Sequence, residues 1–301
     1  MGKVGFMADV IILGCGPAGI SAALYTARAG LDTLILGRED GSLTKTEKIE
    51  NYFGFPEPVS GKELLENGAA QARRVGAKLV EDEAVGIAYD GGFAVSTASE
   101  IYRAPLAILA TGSQRKSPDL PGLENFEGRG VSYCAVCDGF FYRKKNVAVL
   151  GAGDYALHEA KELLPLAASV TILTDGAEPA ADFPPELTVV TKKVKALFGG
   201  DLLRGVRFAD GSELAADGVF VALGVAGSVD LARKLGVETN GPSIVVDEHR
   251  QTNLPGLYAA GDCVGGLLQI SKAVCDGAIA GTSVVKAFRQ RDAASNAPTF
   301  C

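Results

Sequence analysis

Tryptophan is absent from this 301-residue sequence, and histidine and methionine occur only twice each. His158 and His249 lie far from every cysteine, and there is no second Cys-x-x-Cys, so a zinc site lacks its ligands and no metal is expected. No apolar run approaches the roughly eighteen residues of a membrane-spanning helix. Nor is there a long basic run; with a net charge of −7, nucleic acid and anionic membrane are poor partners. The opening Met1-Gly-Lys-Val-Gly-Phe6 breaks the myristoylation pattern at position 6. The apolar stretch behind it runs into a glycine-rich loop, as a strand does and a signal peptide does not. A cytoplasmic protein is the expectation.

What the chain has in excess is glycine, 38 residues scattered without period. Collagen is thereby excluded, and tight turns and close backbone–ligand approaches are expected. A length about twice that of a usual single domain favours two domains. Asp9 to Leu13 reads as a fully buried parallel strand ending at Gly14-Cys15-Gly16-Pro17-Ala18-Gly19. Ile20 to Ala29 follows as a helix closed by Gly30, then Thr33 to Leu36 as a strand, with Glu39 just past its end. Gly14, Gly16 and Gly19 permit the tight turn and a close pyrophosphate, and the helix N-terminus attracts the phosphates. Glu39, 25 positions after Gly14, is placed to take a ribose hydroxyl.

The pattern recurs 137 positions later, in Asn146 to Leu150, Gly151-Ala-Gly153-Asp-Tyr-Ala156, Leu157 to Leu164 and Val170 to Leu173. Two dinucleotide-binding units in one chain are the signature of a two-nucleotide flavoprotein; the alternative is glycine turns that serve backbone geometry only. Because Leu257-Tyr-Ala-Ala-Gly261-Asp262 returns to the style of Ala107-Ile-Leu-Ala-Thr-Gly112, the second unit interrupts the first. The expected fold is α/β with two Rossmann-like dinucleotide-binding domains, the second inserted into the first. Residues 1–114 and 245–301 would form one domain and 115–244 the other.

Of six cysteines only Cys134 and Cys137 form a close pair, and a redox pair is the better reading. Cys15, Cys263 and Cys275 are expected to be small buried hydrophobes. Reducing a disulfide needs two electrons delivered as a dithiol, and a two-residue spacer keeps the sulfurs close enough to cyclise. Thiolate is the nucleophile, so Asp138, abutting Cys137, is a candidate proton donor or acceptor; the alternative is a turn or cap residue before Gly139.

From about Asp9 to about Ala287 the chain resembles the low-molecular-weight, bacterial-type thioredoxin reductases. The most specific segment is Cys134-Ala-Val-Cys-Asp-Gly-Phe-Phe-Tyr142. The first glycine turn, Glu50-Asn51, Ala110-Thr111-Gly112, Gly261-Asp262 and Gln269 also match in order. The resemblance implies a homodimer whose first domain binds FAD, while the inserted domain binds NADPH and carries the dithiol. That domain would rotate to present the dithiol alternately to flavin and protein substrate. By the same resemblance Gly14, Gly16 and Gly19, with Pro17 and Ala18 between, hold the FAD pyrophosphate, and Glu39 the adenosine ribose. Asn51, Asp262 and Gln269, with Ile270 beside it and the Ala110–Gly112 turn, would touch the rest of FAD. Asn51 and Gln269 have loop closure as an alternative. Cys137 would face the flavin, Cys134 attack the partner disulfide and Asp138 manage the proton.

Two stretches depart from the pattern: in the FAD unit a Gly-Gly-Gln segment of the family is shortened to Gly41-Ser42, and the other lies in the second unit. Where the family clamps the NADPH 2′-phosphate with His-Arg-Arg and a further Arg, Thr174 to Glu186 has no Lys or Arg and four acids, Asp175, Glu178, Asp182 and Glu186. A 2′-phosphate would meet repulsion there instead of bidentate pairing. Asp175 lies 24 positions past Gly151, where an NAD-type acid would be, yet Tyr155 and His158 are expected to crowd the phosphates. The expected activity passes electrons through FAD to Cys134/Cys137 and on to thioredoxin or a similar protein disulfide. The resemblance to thioredoxin reductase-like flavoenzymes that use ferredoxin implies such a protein as the donor. The alternatives are an NAD(P)H-dependent thioredoxin reductase and a flavin-binding redox sensor or carrier. Residues 291–301 are expected to be a tail, in which Phe300 either stacks on the flavin's exposed face or has no role.

Overall fold

The computed structural model describes residues 4–38, 41–112, 118–224 and 226–295, so Glu39 and Phe300 lie outside the described residues. The chain divides into two compact units, Met1–Gln114 with Gly227–Cys301, and Arg115–Ala226.

The first unit opens with β1 (Val4–Met7), β2 (Val10–Leu13), α1 (Pro17–Arg28) and β3 (Thr33–Leu36), then α2 (Gly61–Arg74) and β4 (Lys78–Val80). Both β2 and β3 are buried at every position, as strands covered on both faces must be. α1 begins at Pro17, three residues before the expected Ile20. Proline's missing N–H is no loss at a first helical position, and its fixed φ suits the helix. An antiparallel layer of β5 (Gly86–Tyr89), β6 (Phe93–Ser96) and β7 (Ile101–Ala104) follows, with β1 parallel to β7 at its edge. β8 (Leu106–Leu109) then runs parallel beside β2.

The second unit contains β9 (Val131–Ser132), α3 (Ala135–Asp138), β10 (Asn146–Leu150), α4 (Asp154–Leu163), β11 (Ser169–Leu173) and β12 (Thr188–Val190). An antiparallel sheet of β13 (Val194–Gly199), β14 (Leu203–Phe208) and β15 (Glu213–Ala215) follows, before β16 (Gly218–Val221). The parallel strands order as β12-β11-β10-β16-β9, around a core that includes Ala148, Leu150, Leu173 and Val219.

The chain returns to the first unit through α5 (Ser228–Lys234), the short pair β17 (Thr239–Asn240) and β18 (Ser243–Ile244), β19 (Leu257–Ala259) and α6 (Ile270–Ser295). This completes a five-stranded parallel sheet, β19-β8-β2-β3-β4. The return at Gly227 is earlier than the expected 245. Side-chain bonds tie this segment to the first unit: Ser228 N–H donates to Thr111 Oγ1 at 2.7 Å, and Lys234 Nζ to the Val85 carbonyl at 3.3 Å. α6 lies close on α1, for a Cβ on Gly277 would stand 2.1 Å from the Ala18 carbonyl oxygen. Residues 291–295, expected to belong to a tail, instead continue α6, which runs to Ser295. Nothing between Arg291 and Asn296 breaks a helix, and Ala293 and Ala294 favour one.

Candidate functional site

In the first unit the adjacent strands β2, β8 and β19 end at Gly14–Gly19, Ala110–Gly112 and Gly261–Asp262 respectively. Open parallel sheets bind ligands at this carboxyl edge. The three turns close on one another: a Cβ on Gly14 would meet the Ala110 carbonyl oxygen at 2.2 Å, and one on Gly261 would meet Ala18 Cβ at 2.9 Å. Both glycines have positive φ, +117° and +85°, so larger residues would be strained as well as crowded. Gly16, the N-cap of α1, faces open space, and no side chain caps the helix. The first-turn N–H groups and their partial positive charge thus meet a rim of small residues, which fits the pyrophosphate of a dinucleotide.

Asn51 and Gln269, 218 positions apart, are brought together: Asn51 Nδ2 donates to Gln269 Oε1 at 3.0 Å, just before Ile270 opens α6. Their two loops are therefore joined by the pair itself. Burial pushes the Asp262 carboxyl above its ordinary range; Lys272 opposes this and Asp276 adds to it. Asp276, 1% exposed, takes Arg250 Nε at 2.8 Å, Lys272 Nζ at 2.8 Å and the Gly261 N–H at 3.1 Å. Lys272 Nζ also donates to the carbonyls of Gly261 (2.8 Å) and Gly265 (2.6 Å). This ionic knot fixes the turn that carries Asp262. Sequence reasoning missed it, although Lys272 and Asp276 at i, i+4 in a helix otherwise rich in small residues were its signal.

In the second unit Cys134 and Cys137 form a disulfide, with Cα atoms 5.3 Å apart. Cys134 is the N-cap of the one-turn helix α3 and is buried, whereas Cys137 is exposed. The Cys137 N–H donates to Cys134 Sγ at 3.1 Å. Asp138 caps no helix with its side chain; instead Ser132 Oγ donates to its Oδ2 at 2.6 Å and accepts the Cys134 N–H at 3.1 Å. Glu159, on α4 and 1% exposed, accepts the Ala135 N–H at 2.7 Å. Ser132 and Glu159 were not foreseen. One sits two residues before Cys134; the other is an acid at a core position of an amphipathic helix. Burial, with Asp138 adding to it, raises the Tyr142 phenol above its usual range.

The remaining cysteines divide. Cys15 and Cys263 are buried, as expected of small hydrophobes, but Cys275 is exposed. It lies on α6 next to the inward-turned Asp276, on a part of the helix surface that faces solvent. Burial pushes the Cys263 thiol up to about 11, so it stays protonated and inert.

The second glycine turn has different neighbours from the first. The segment after β11 folds back on it, and the Ala180 N–H donates to the Ala152 carbonyl at 2.7 Å. Asp175, at φ 55°, takes Lys193 Nζ at 2.7 Å and the Val194 N–H at 2.9 Å, so both carboxylate oxygens are engaged. Tyr155 does not crowd the phosphate position as expected. It is buried, with its hydroxyl donating to the Tyr133 carbonyl at 3.5 Å, because α4 starts at Asp154 and turns this position inward. Among the described residues no three His, Cys, Asp or Glu side chains gather as metal ligands, and no helix is long and apolar enough to cross a membrane.

Comparison with known proteins agrees with this geometry. Residues 8–277 match the family model of pyridine nucleotide-disulphide oxidoreductases. The chain is 37% identical over 276 residues to a thioredoxin reductase of Streptomyces coelicolor, covering 85% of this chain and 86% of that one. It is 38% identical over 300 residues to the thioredoxin reductase of Listeria monocytogenes, covering 92% and 93%. Among solved structures it resembles the atypical thioredoxin reductase TRi from Desulfovibrio vulgaris Hildenborough, with a TM-score of 0.88 and 43% identity over 94% of this chain and 98% of that one. A ferredoxin-flavin thioredoxin reductase from Clostridium acetobutylicum has a TM-score of 0.72 and 30% identity, covering 94% and 99%. With a dinucleotide rim on one unit and a Cys-x-x-Cys disulfide on the other, the chain belongs to the pyridine nucleotide-disulphide oxidoreductase family, as a thioredoxin-disulfide reductase flavoenzyme whose cofactor is FAD.

Proposed function

We propose that this reductase draws its electrons from a protein donor of the ferredoxin kind, not from NADPH or NADH, and delivers them through Cys134/Cys137 to the disulfide of thioredoxin. Bound FAD supplies a centre that can take electrons singly and give them in pairs. Gly14, Gly16, Pro17, Ala18 and Gly19 would hold its pyrophosphate and Glu39 its ribose. Ala110–Gly112, Asn51, Asp262, Gln269 and Ile270 would hold the remainder.

On the substrate side, a Cys134 thiolate attacks one sulfur of the partner disulfide, forms a mixed disulfide and releases a partner thiolate. Cys137 then attacks Cys134 Sγ, which remakes the Cys134–Cys137 bond and frees the second partner thiol. The partner gains two electrons and two protons. Asp138, which accepts a hydrogen bond from Ser132 Oγ, would give and take a proton at Cys137. Cys134 is the buried member of the pair, so its attack requires the α3 turn to be uncovered.

The observation that carries the donor assignment is the bond from Ala180 N–H to the Ala152 carbonyl. It pins an acidic, base-free segment against the glycine turn where a second dinucleotide would lie. The one acid placed to take an NAD ribose, Asp175, is engaged by Lys193 and Val194. These residues do not fit a pyridine nucleotide. The Clostridium acetobutylicum neighbour, named for ferredoxin, supports the reading. The test is anaerobic mixing of the oxidised protein with NADPH, NADH or reduced ferredoxin while flavin absorbance is followed. Bleaching by ferredoxin alone is expected, with thioredoxin reduction lost in Cys134→Ser and Cys137→Ser. Rapid bleaching by micromolar NADPH or NADH would overturn the donor assignment.

A further inference from the structure

We infer that Glu159 is a positioning residue that keeps the Cys134/Cys137 couple strongly reducing, by anchoring the start of the dithiol turn and placing a carboxylate beside it. The inference rests on reading these cysteines as the redox pair.

A one-turn helix leaves its first N–H groups without helical partners, and these groups ordinarily stabilise a thiolate at a helix N-terminus. In α3 three of the four N–H groups already have partners. The Asp138 N–H donates to the Cys134 carbonyl at 3.1 Å and the Cys137 N–H to Cys134 Sγ at 3.1 Å. The Ala135 N–H, adjacent to Cys134, goes to Glu159 Oε2 at 2.7 Å. An acid 1% exposed among Ala156, Ala160 and Leu163 is costly to place there unless it bonds something specific, and here it bonds the backbone of the redox turn.

The consequence follows from charge. Reduction breaks the S–S bond and adds two electrons and two protons; the thiolate form of the product places negative charge on α3. Asp138 is part of this turn, and Glu159 bonds the turn's first N–H through a carboxyl oxygen, so both bring carboxyl groups to it. A thiol couple is oxidising when its reduced form is stabilised, as helix N–H groups and nearby cations do. Glu159 removes one such N–H and opposes the thiolate charge, so it holds the couple on the reducing side, as a donor to thioredoxin requires.

The test equilibrates the FAD-loaded protein with glutathione mixtures at pH 8 and reads the 134–137 peptide by alkylation and mass spectrometry. Two glutathione molecules give up two electrons and two protons as they join, and the Cys134–Cys137 bond takes them as it opens. Glu159→Gln keeps the shape and an acceptor but removes the charge. It is expected to lower the [GSH]²/[GSSG] midpoint about five-fold, a shift of about 20 mV for a two-electron couple. Glu159→Asp keeps the charge and shortens the reach, and is expected to stay within about two-fold of the parent. An unchanged midpoint in Glu159→Gln, or an equal fall in Glu159→Asp, overturns the inference. A parent pair that stays closed in the native protein even under excess dithiothreitol, a much stronger reductant than glutathione, overturns instead the redox reading beneath it.

Discussion

Three cysteines of this chain share a side chain and differ in everything that governs reactivity. Cys263 is fully enclosed, its thiol pushed up to about 11 by burial, and its Sγ donates to the carbonyls of Leu109 and Ala260. Cys275 is exposed, and Cys137 is exposed but held in a disulfide. Since thiolate fraction and access together set the rate, the oxidised native protein should be alkylated by iodoacetamide at Cys275 and not at Cys263. After unfolding, both should react. Mass spectrometry of peptides from native and denatured samples checks this, and rapid native labelling of Cys263 would contradict its burial.

The first glycine turn works as a binding element only because α1 is held where its N-terminus meets the rim, and α6 does much of the holding. At Gly277 the two helices approach so closely that a single added methyl group would stand 2.1 Å from the Ala18 carbonyl oxygen and 2.9 Å from Ser21 Cβ. Backbone cannot yield as a side-chain tip can, so Gly277→Ala should cost about 2 kcal/mol through overpacking. It should also weaken FAD retention, because Ala18 belongs to the turn. A lowered Tm together with faster flavin loss on dilution is the expected result; an unchanged Tm would mean the helices separate freely. The sequence made α1, its glycine turn and both parallel sheets legible, because their glycine spacing and buried β-branched runs are local signals. Local signals could not reveal what depends on distant partners. Ser132 and Asp138 meet across the dithiol turn, Glu159 reaches back 24 positions to Ala135, and Asp276 gathers Arg250 from another segment. The early return at Gly227 and the inward turn of Tyr155 were hidden for the same reason, since each is set by packing rather than by propensity.

Both units of the molecule contain a five-stranded parallel sheet with a glycine turn leading into a helix, yet their chemistry at that turn differs. In the first unit small residues surround the turn and Gly16 faces open space. In the second, Ala180 is bonded to Ala152, and Asp175 is closed off by Lys193 and Val194. Equilibrium binding should divide in the same way. A ligand present at a hundred times its Kd stabilises the folded state by about 2.7 kcal/mol, so 1 mM of a nucleotide bound at about 10 µM would raise Tm visibly. FAD should give such a rise when added to stripped protein. NADPH and NADH at 1 mM should give none with the FAD-loaded protein, since the 2′-phosphate meets acids and the NAD ribose finds its carboxylate already engaged. Glu178→Arg should not by itself restore NADPH binding, because the loop would still be bonded to the glycine turn through its backbone. A clear rise in Tm with either nucleotide on the unaltered protein would mean that the loop after β11 yields to a ligand, and would return NAD(P)H to consideration as the donor.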